Sequence, residues 1–179
     1  MSLKNLRKAT LEDIQALEAL IVASARELGK DYYTCEQIEA ALQGTFGVDS
    51  ELIRDGTYWV AECEGQIVGC GGWSFRKTMF GGDSYAERES ERLDPKTDSA
   101  RIRAFFVDPR FARQGIGSKI LQVCEDEARA NGFHRAILTA TLPGHPFYLR
   151  HGYIGETRTS YEHPGGVVLQ AITMSKPLG

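Results

Sequence analysis

A glycine-containing turn before a predicted helix is the segment of this chain best suited to chemistry. It follows an apolar, strand-like run from Ile102 to Val107 and a turn marked by Pro109, and it contains Gly115 and Gly117. The first N–H groups of a helix have no partner within the helix, and they lie at the positive end of its dipole. Glycine leaves such groups open to close approach. The turn therefore predicts a site for a phosphate or pyrophosphate group.

Two common nucleotide-binding motifs are excluded at this turn. The dinucleotide-binding pattern requires a third glycine three residues after Gly117, where this chain has Ile120. The P-loop requires Gly-Lys and then Ser or Thr after a four-residue spacer, and no segment of the sequence supplies it. If this segment is considered alone, the alternative to a phosphate site is an ordinary tight turn before a helix.

Composition predicts one globular domain, residues 1–179, without a nucleic-acid or membrane partner. The formal net charge of −3 gives no basic surface for nucleic acid, and no apolar run reaches the length of a membrane span. The first residues lack the apolar segment of a secretion signal, so we expect a cytoplasmic protein, either a monomer or a homodimer. The four cysteines form no Cys-x-x-Cys pair and the histidines lack ligand spacing, so we expect no metal.

The apolar periodicity predicts the element order β-α-α-β-β-β-α-β-α-β-β. The strand–helix–strand unit from Arg101 to Ala140 should be parallel and right-handed, whereas the flanking strands should pair as antiparallel hairpins. We therefore expect an α/β (α+β) fold with a mixed, mostly antiparallel sheet and helices on both faces. The predicted helices cover residues 14–29, 35–42, 115–131 and 145–151, with a further short turn at 49–54.

The connection from Arg76 to Ser99 is long for a compact domain. It contains Gly81, Gly82 and Pro95 together with a charge-rich run. Connections of this length are usually either functional or disordered. The sequence leaves two interpretations open, a solvated flexible loop and a lid on the substrate side.

Two motifs at a characteristic separation resemble those of one enzyme superfamily. The pattern Val-x-Pro-x-x-x-Arg-Gln-Gly-Ile-Gly-Ser, from Val107 to Ser118, resembles motif A of the GNAT acyl-CoA N-acetyltransferases. The run from Pro146 to Tyr153 resembles their motif B helix, and the first strand and helix also resemble the opening of a bacterial-type member. The resemblance thus covers nearly the whole chain. One departure is Ala112, at a position where the family usually has Arg or Gln.

The resemblance implies a GNAT-like fold in which acetyl-CoA lies between two splayed parallel strands. Here these strands are Phe105–Val107 and Ile137–Ala140. The backbone of Phe106 and Val107 would pair with the amides of pantetheine. The further residues that the motif implies for binding the cofactor are Arg113, Gln114, Gly115, Ile116, Gly117 and Ser118. Whether Arg113 or Arg110 adds a side-chain contact stays open.

The resemblance also places Tyr148 at the position of the family's usual general acid. After an amine attacks the thioester, the tetrahedral intermediate must expel the CoA thiolate, and a nearby phenol can protonate it. Such a step is worth roughly 10²–10⁴-fold in rate. Without the resemblance, Tyr148 is a half-buried aromatic residue of a short amphipathic helix. No cysteine lies beside either motif, so direct attack is expected rather than a covalent acetyl-enzyme.

The expected reaction is therefore transfer of an acetyl group from acetyl-CoA to a primary amine of a small molecule or an amino-acid-like acceptor. A non-catalytic acyl-CoA-binding or sensing module is one alternative, and it would have no need of Tyr148. A protein N-acetyltransferase is another. Transfer of a different short acyl group, such as succinyl, is also open, because it depends on the volume of the pocket.

Arg101 and Arg103 are two of the predicted acceptor residues. They alternate onto one face of a strand, and an arginine fork matches a carboxylate, so they favour an acceptor that carries both an amine and a carboxylate. The alternative is that they pair with acidic residues of the chain, such as Glu87, Glu89 or Asp98.

Tyr32 and Trp73 are the other predicted acceptor residues, because their side chains are apolar enough to line a pocket. Packing in the core or in a hairpin is the alternative for each. Gly71 and Gly72, which precede Trp73, indicate a bulge or a close backbone approach. His145 could relay a proton near neutral pH, with a capping or surface role as the alternative. The sequence identifies no general base.

Overall fold

A seven-stranded sheet lies at the centre of the computed structural model, which describes residues 5–85, 88–163 and 165–179. The strand order is β1-β2-β3-β4-β5-β7-β6, and every pair is antiparallel except β4 with β5. The strands are β1 (Asn5–Lys8), β2 (Tyr58–Cys63), β3 (Gln66–Ser74), β4 (Ala100–Val107), β5 (Arg135–Thr141), β6 (Ile154–His163) and β7 (Val167–Pro177). The helices are α1 (Ile14–Gly29), α2 (Cys35–Leu42), α3 (Ser50–Arg54), α4 (Ile116–Ala130) and α5 (His145–Arg150). The predicted fold class is confirmed.

Helices cover both faces of the sheet, because neighbouring residues of a strand point to opposite sides. On one face, the buried α1 residues Leu17 and Ile21 pack with Val60 of β2. On the other face, Ile120 of α4 packs with Val68 of β3. Burying one such side chain contributes roughly 1.5–3 kcal/mol, so these two layers hold the sheet that carries the site. Within the described ranges, no helix combines the length and apolar character that a membrane span requires.

The short helix α3 is capped by the residue that precedes it, Asp49. The side chain of Asp49 accepts a hydrogen bond from the N–H of Leu52 at 3.4 Å, which satisfies one of the free donors of the first turn. Asp49 is fully buried in this position. The predicted short turn at residues 49–54 is therefore a helix whose cap lies inside the protein.

The two parallel strands separate soon after they meet. Ala100 and Arg101 of β4 lie opposite Ala136 and Ile137 of β5, and the parallel pairing is confined to these positions. Beyond them the carboxyl ends of the strands diverge, which opens a cleft in the sheet. This is the splay that the GNAT resemblance implies.

A bulge in β4 shapes one side of this cleft. The register between β3 and β4 shifts between Cys70 and Gly72, and Ala104 has a φ of 57° in the left-handed region. A bulge places one extra residue in a strand and bends it. A Cβ at Gly71 would lie 2.7 Å from the ring of Phe105, so only glycine leaves room for that ring. Gly71 is therefore explained by the bulge opposite it, whereas a Cβ at Gly72 would lie 2.8 Å from the carbonyl oxygen of Thr57.

Candidate functional site

A cavity of about 760 Å³ opens where β4 and β5 separate. Its walls come from the ends of both strands, the first turn of α4, helix α5, strands β6 and β7, and the segment 79–82. The predicted site residues that line it are Tyr32, Arg103, Phe106, Val107, Arg113, Gly115, Ile116, Gly117, Ser118 and Tyr148. Trp73, Arg101 and Gln114 are not among the described residues that line the cavity.

The turn before α4 forms one wall of the cavity. Arg113 and Gly115 both have positive φ angles, 63° and 82°, and Gly115 is the N-cap residue of α4. Hydrogen bonding within the helix begins where the N–H of Lys119 donates to the carbonyl of Gly115 at 3.1 Å. The N–H groups from Ile116 to Ser118 therefore point out of the helix end. This arrangement suits a bound phosphate or pyrophosphate.

Helix α5 is attached to the same end of α4. The imidazole of His151 lies 2.9 Å from the hydroxyl of Ser118 through Nε2 and 2.8 Å from the carbonyl of Phe147 through Nδ1. The ring of Phe147 also lies 3.3 Å from where a Cβ of Gly117 would be. The Ser118 hydroxyl therefore fixes α5 beside the turn.

The backbone of β4 lies along the cavity at Phe106 and Val107. The N–H of Val107 donates to the hydroxyl of Ser24, on α1, at 3.3 Å. A bond of this length is at the weak end of the range for N–H donors. Pairing of this N–H with pantetheine, in exchange for Ser24, stays a prediction.

Helix α5 presents Tyr148 to the cavity. The residue is only 8% exposed, and its ring packs edge-on against Phe105, with 6.3 Å between the ring centroids. Burial raises the pKa of the Tyr148 phenol, with a smaller contribution from Cys124, and no hydrogen bond from another described residue contributes to the shift. The hydroxyl therefore carries its proton at neutral pH and can donate it to a bound molecule.

The wall on the side of β6 and β7 is apolar and aromatic. Phe80 of the long 76–99 connection packs against Tyr161 of β6, with ring centroids 4.2 Å apart. The sequence left open whether this connection is a solvated loop or a lid. The structure places residues 79–82 of it in the cavity wall. The side chains that form this wall are Tyr32, Tyr33, Phe46, Met79, Phe80, Tyr161 and Leu169.

Two polar residues of the same wall were not identified from the sequence. His163 is 5% exposed, and burial lowers the pKa of its imidazole, so the ring is neutral at neutral pH. Its Nε2 and the hydroxyl of Thr45 are buried without a hydrogen-bond partner among the described residues. The His163 ring lies 3.5 Å from where a Cβ of Gly44 would be. Nothing in the local pattern predicts this packing of the chain after α2 against the end of β6.

Arg103 lines the cavity, and one of its three guanidinium nitrogens, Nη2, already has partners, whereas its Nε and Nη1 are buried without a hydrogen-bond partner among the described residues. Its Nη2 lies 2.5 Å from Oδ2 of Asp49 and donates to the carbonyl of Gly81 at 2.7 Å. Both charged side chains are almost completely buried. Arg88 also pairs with Asp49, at 2.9 Å. The geometry therefore fits the alternative in which Arg103 pairs with an acidic residue of the chain. The partner is Asp49 rather than Glu89 or Asp98. Glu87, the third expected partner, lies outside the described residues.

Arg101 lies away from the cavity, beneath the long connection. Its guanidinium donates to the carbonyls of Lys77, at 3.4 Å, and Ser99, at 3.0 Å. Burial lowers the pKa of Arg101, and the carboxylates of Asp98 and Glu89 oppose this shift. Two of the expected acidic residues thus lie near Arg101, and its position supports a structural role rather than contact with an acceptor.

Trp73 lies in the core between the sheet and α4, so its predicted place in the acceptor pocket is corrected. It is 2% exposed, and its Nε1 donates to Oε2 of Glu127 at 2.9 Å. Trp59 donates to the same oxygen at 3.0 Å, and Lys8 pairs with the other oxygen. Burial alone would raise the pKa of Glu127, but the hydrogen bonds from Lys8, Trp59 and Trp73 outweigh it and hold the pKa below its ordinary value. The packing alternative for Trp73 explains its position.

Trp73→Phe is expected to lower the free energy of unfolding by about 2 kcal/mol, because the half-buried carboxylate of Glu127 loses a donor and the core loses volume. Urea denaturation measures this change. Trp59→Phe is the matched control, and it should cost less because Trp59 is only partly buried. A Trp73→Phe protein of unchanged stability with a changed KM for the acceptor would contradict the core assignment.

The chain matches the sequence model of the acetyltransferase (GNAT) family over residues 17–153. No curated protein matches it significantly. Its fold is similar to a GCN5-related N-acetyltransferase structure titled aminotransferase, class-II, from Rhodopseudomonas palustris, with a TM-score of 0.72, 24% identity, and 99% and 97% of the two chains covered. It is also similar to the PaiA N-acetyltransferase of Thermoplasma acidophilum in complex with coenzyme A, with a TM-score of 0.66, 16% identity and 99% of each chain covered.

A third similar structure is the ribosomal-protein-alanine N-acetyltransferase of Brucella melitensis, with a TM-score of 0.62, 21% identity, and 97% and 99% of the two chains covered. At these identities the likeness establishes a shared fold. Among the described residues, no cluster of three or more His, Cys, Asp or Glu side chains could hold a metal ion. Because the family model covers most of the sequence, the chain belongs to the GNAT acetyltransferase family.

Proposed function

We propose that this protein transfers the acetyl group of acetyl-CoA to the primary amine of a small molecule by direct attack of the amine on the thioester. Family membership indicates an acetyl-CoA-dependent acetyltransferase. The observation that carries the finer proposal is one cavity lined by the α4 turn, by Tyr148 and by an apolar wall. A donor, a proton source and space for an acceptor body are thereby brought to one place.

In this proposal the N–H groups from Gly115 to Ser118 hold the pyrophosphate, and the backbone of Phe106 and Val107 lies along the pantetheine arm. The neutral amine attacks the thioester carbonyl and forms the C–N bond. The tetrahedral intermediate then collapses and breaks the C–S bond, while the proton lost by the amine passes to solvent. Tyr148 donates its phenolic proton to the departing thiolate and recovers it from water.

Two observations support direct attack on a small acceptor. No cysteine is among the described residues that line the cavity, so no thiol is placed to form an acetyl-enzyme. The packing of Phe80 against Tyr161 closes one side of the cavity, which suits a small molecule better than a folded protein partner.

A cytoplasmic location and a monomeric or homodimeric state stay predictions from the sequence.

Thiol release from acetyl-CoA across a panel of small primary amines, amino acids and short peptides tests this proposal. We expect several small amines to raise the rate at least about tenfold above slow hydrolysis. Stimulation by peptides alone would instead favour a protein N-acetyltransferase. Tight acetyl-CoA binding by calorimetry without stimulation by any amine would favour the non-catalytic module.

A further inference from the structure

The charges that line the cavity are all positive. Among the described lining residues, the side chains with a full charge are Arg103, Arg113 and Arg150, and no Asp or Glu is present. Arg113 belongs to the α4 turn and Arg150 to the last turn of α5, so these two lie on the donor side. The acceptor therefore meets no carboxylate to which an ammonium group could bind.

The carboxylate of Asp49 does not alter this balance. It lies behind Arg103, fully buried, and both Arg103 and Arg88 are paired with it. Two guanidinium groups of the protein therefore already compensate its negative charge. A second ammonium group on an acceptor would be buried without a counter-ion, which is strongly unfavourable.

The wall on the side of β6 and β7, which would face the acceptor, is uncharged and largely apolar. Leu169 is 4% exposed and packs in a cluster with Tyr33 of the α1–α2 connection. Phe46 packs edge-on against Phe106, with ring centroids 5.9 Å apart, so this wall reaches the strand that lines the donor side. The neutral imidazole of His163 adds no charge. Such a surface favours an apolar body over a chain of amines or sugars.

Resting on the proposed function, we propose that the acceptor is an apolar monoamine, a primary amine on an aromatic or aliphatic body with no second positive charge. The apolar body lies against Phe46, Phe80, Tyr161 and Leu169, and its amine points toward Tyr148. Polyamines and aminoglycosides are excluded as good acceptors, because each carries ammonium groups that this cavity cannot pair. Compact polar amines are poor acceptors, because they leave the apolar wall in contact with water.

Two matched pairs of amines test this inference through kcat/KM in the thiol-release assay. n-Hexylamine and 1,5-diaminopentane differ at one end by a methyl group against an ammonium group, and we expect the monoamine to be preferred at least about tenfold. n-Propylamine and n-pentylamine differ by two methylenes, and we expect about fourfold per methylene in favour of the longer amine. Preference for the diamine, or no gain with chain length, would overturn the inference.

A charge introduced into the wall gives a second, independent readout. Met79 is partly buried in an irregular segment of the wall, so Met79→Glu and Met79→Gln have similar shape and differ in charge. We expect Met79→Glu to raise the relative kcat/KM of the diamine about tenfold over Met79→Gln. Equal ratios in the two variants would place the acceptor elsewhere and overturn the assignment of this wall. Because the readout is a ratio within each protein, a loss of stability shared by both variants cancels.

Failure of this inference and failure of the proposed function give different results. If 1,5-diaminopentane or a polyamine is the better acceptor, acetyl transfer to a small amine stands and only the substrate class is wrong. If no amine of either kind stimulates thiol release, the proposed function itself is wrong.

Discussion

Tyr148→Phe is expected to lower kcat for acetyl transfer about a hundredfold while leaving the KM for acetyl-CoA nearly unchanged. The raised pKa keeps the phenol protonated, so the native residue can supply a proton to the departing thiolate. Phenylalanine retains the edge-on packing against Phe105 but has no proton to give. In the proposed complex acetyl-CoA is held by the α4 turn, which the substitution does not touch. Initial rates of thiol release at saturating amine measure the effect.

Tyr153→Phe is the matched control, because it removes the same hydroxyl from a neighbouring ring. The ring centroids of Tyr148 and Tyr153 lie 5.7 Å apart, yet Tyr153 is not among the described residues that line the cavity. Its kcat should stay within about twofold of the native value. Since burial raises the pKa of Tyr148, its ionisation should not limit the rate between roughly pH 6 and 9. A Tyr148→Phe variant at full speed would remove this residue from the mechanism.

Most elements could be predicted because their signals are local. Helix α2 begins at the predicted residue, Cys35, because Thr34 and Gln37 exchange hydrogen bonds at 3.1 and 2.9 Å in a capping box. It also ends at the predicted residue, Leu42. The end of strand β6 at His163 is instead set by its pairing with β7, where His163 lies opposite Val167. Where a strand ends depends on its neighbour, and the neighbour is not visible in a local pattern.

The residues that bind the donor could be predicted better than those of the acceptor pocket, and the reason is again whether the signal is local. The turn around Gly115 and Gly117 is a local structure, and the structure places it at the cavity as the motif implies. The partner of Trp73 is Glu127, which is 54 residues away, and no periodicity in β3 indicates it. The partner of Arg103 is Asp49, which belongs to the predicted short turn at residues 49–54, and no pattern in β4 indicates it. Acceptor residues therefore emerge only when distant segments are brought together.

Asp49 connects three parts of the fold behind the cavity wall. It caps α3, it pairs with Arg103 of β4 at 2.5 Å, and it pairs with Arg88 at 2.9 Å. Arg103 and Arg88 in turn donate to the carbonyl of Gly81, at 2.7 and 3.2 Å. The position of the segment 79–82 therefore depends on a buried carboxylate that never reaches the cavity itself. Loss of that charge should therefore lower the stability of the fold. It should affect catalysis only indirectly, by displacing the segment 79–82 of the cavity wall.

Asp49→Asn is expected to lower the free energy of unfolding by about 3 kcal/mol, because the buried guanidinium of Arg103 loses its counter-ion. Arg103→Met should cost less, since Asp49 keeps its pair with Arg88, and it should retain acetylation of alkylamines. Glu39→Gln, which breaks an exposed pair with Arg26, should leave the urea midpoint unchanged. If Arg103→Met proved the more destabilising change, or abolished alkylamine acetylation in a folded protein, Arg103 would have to contact the acceptor rather than hold the wall.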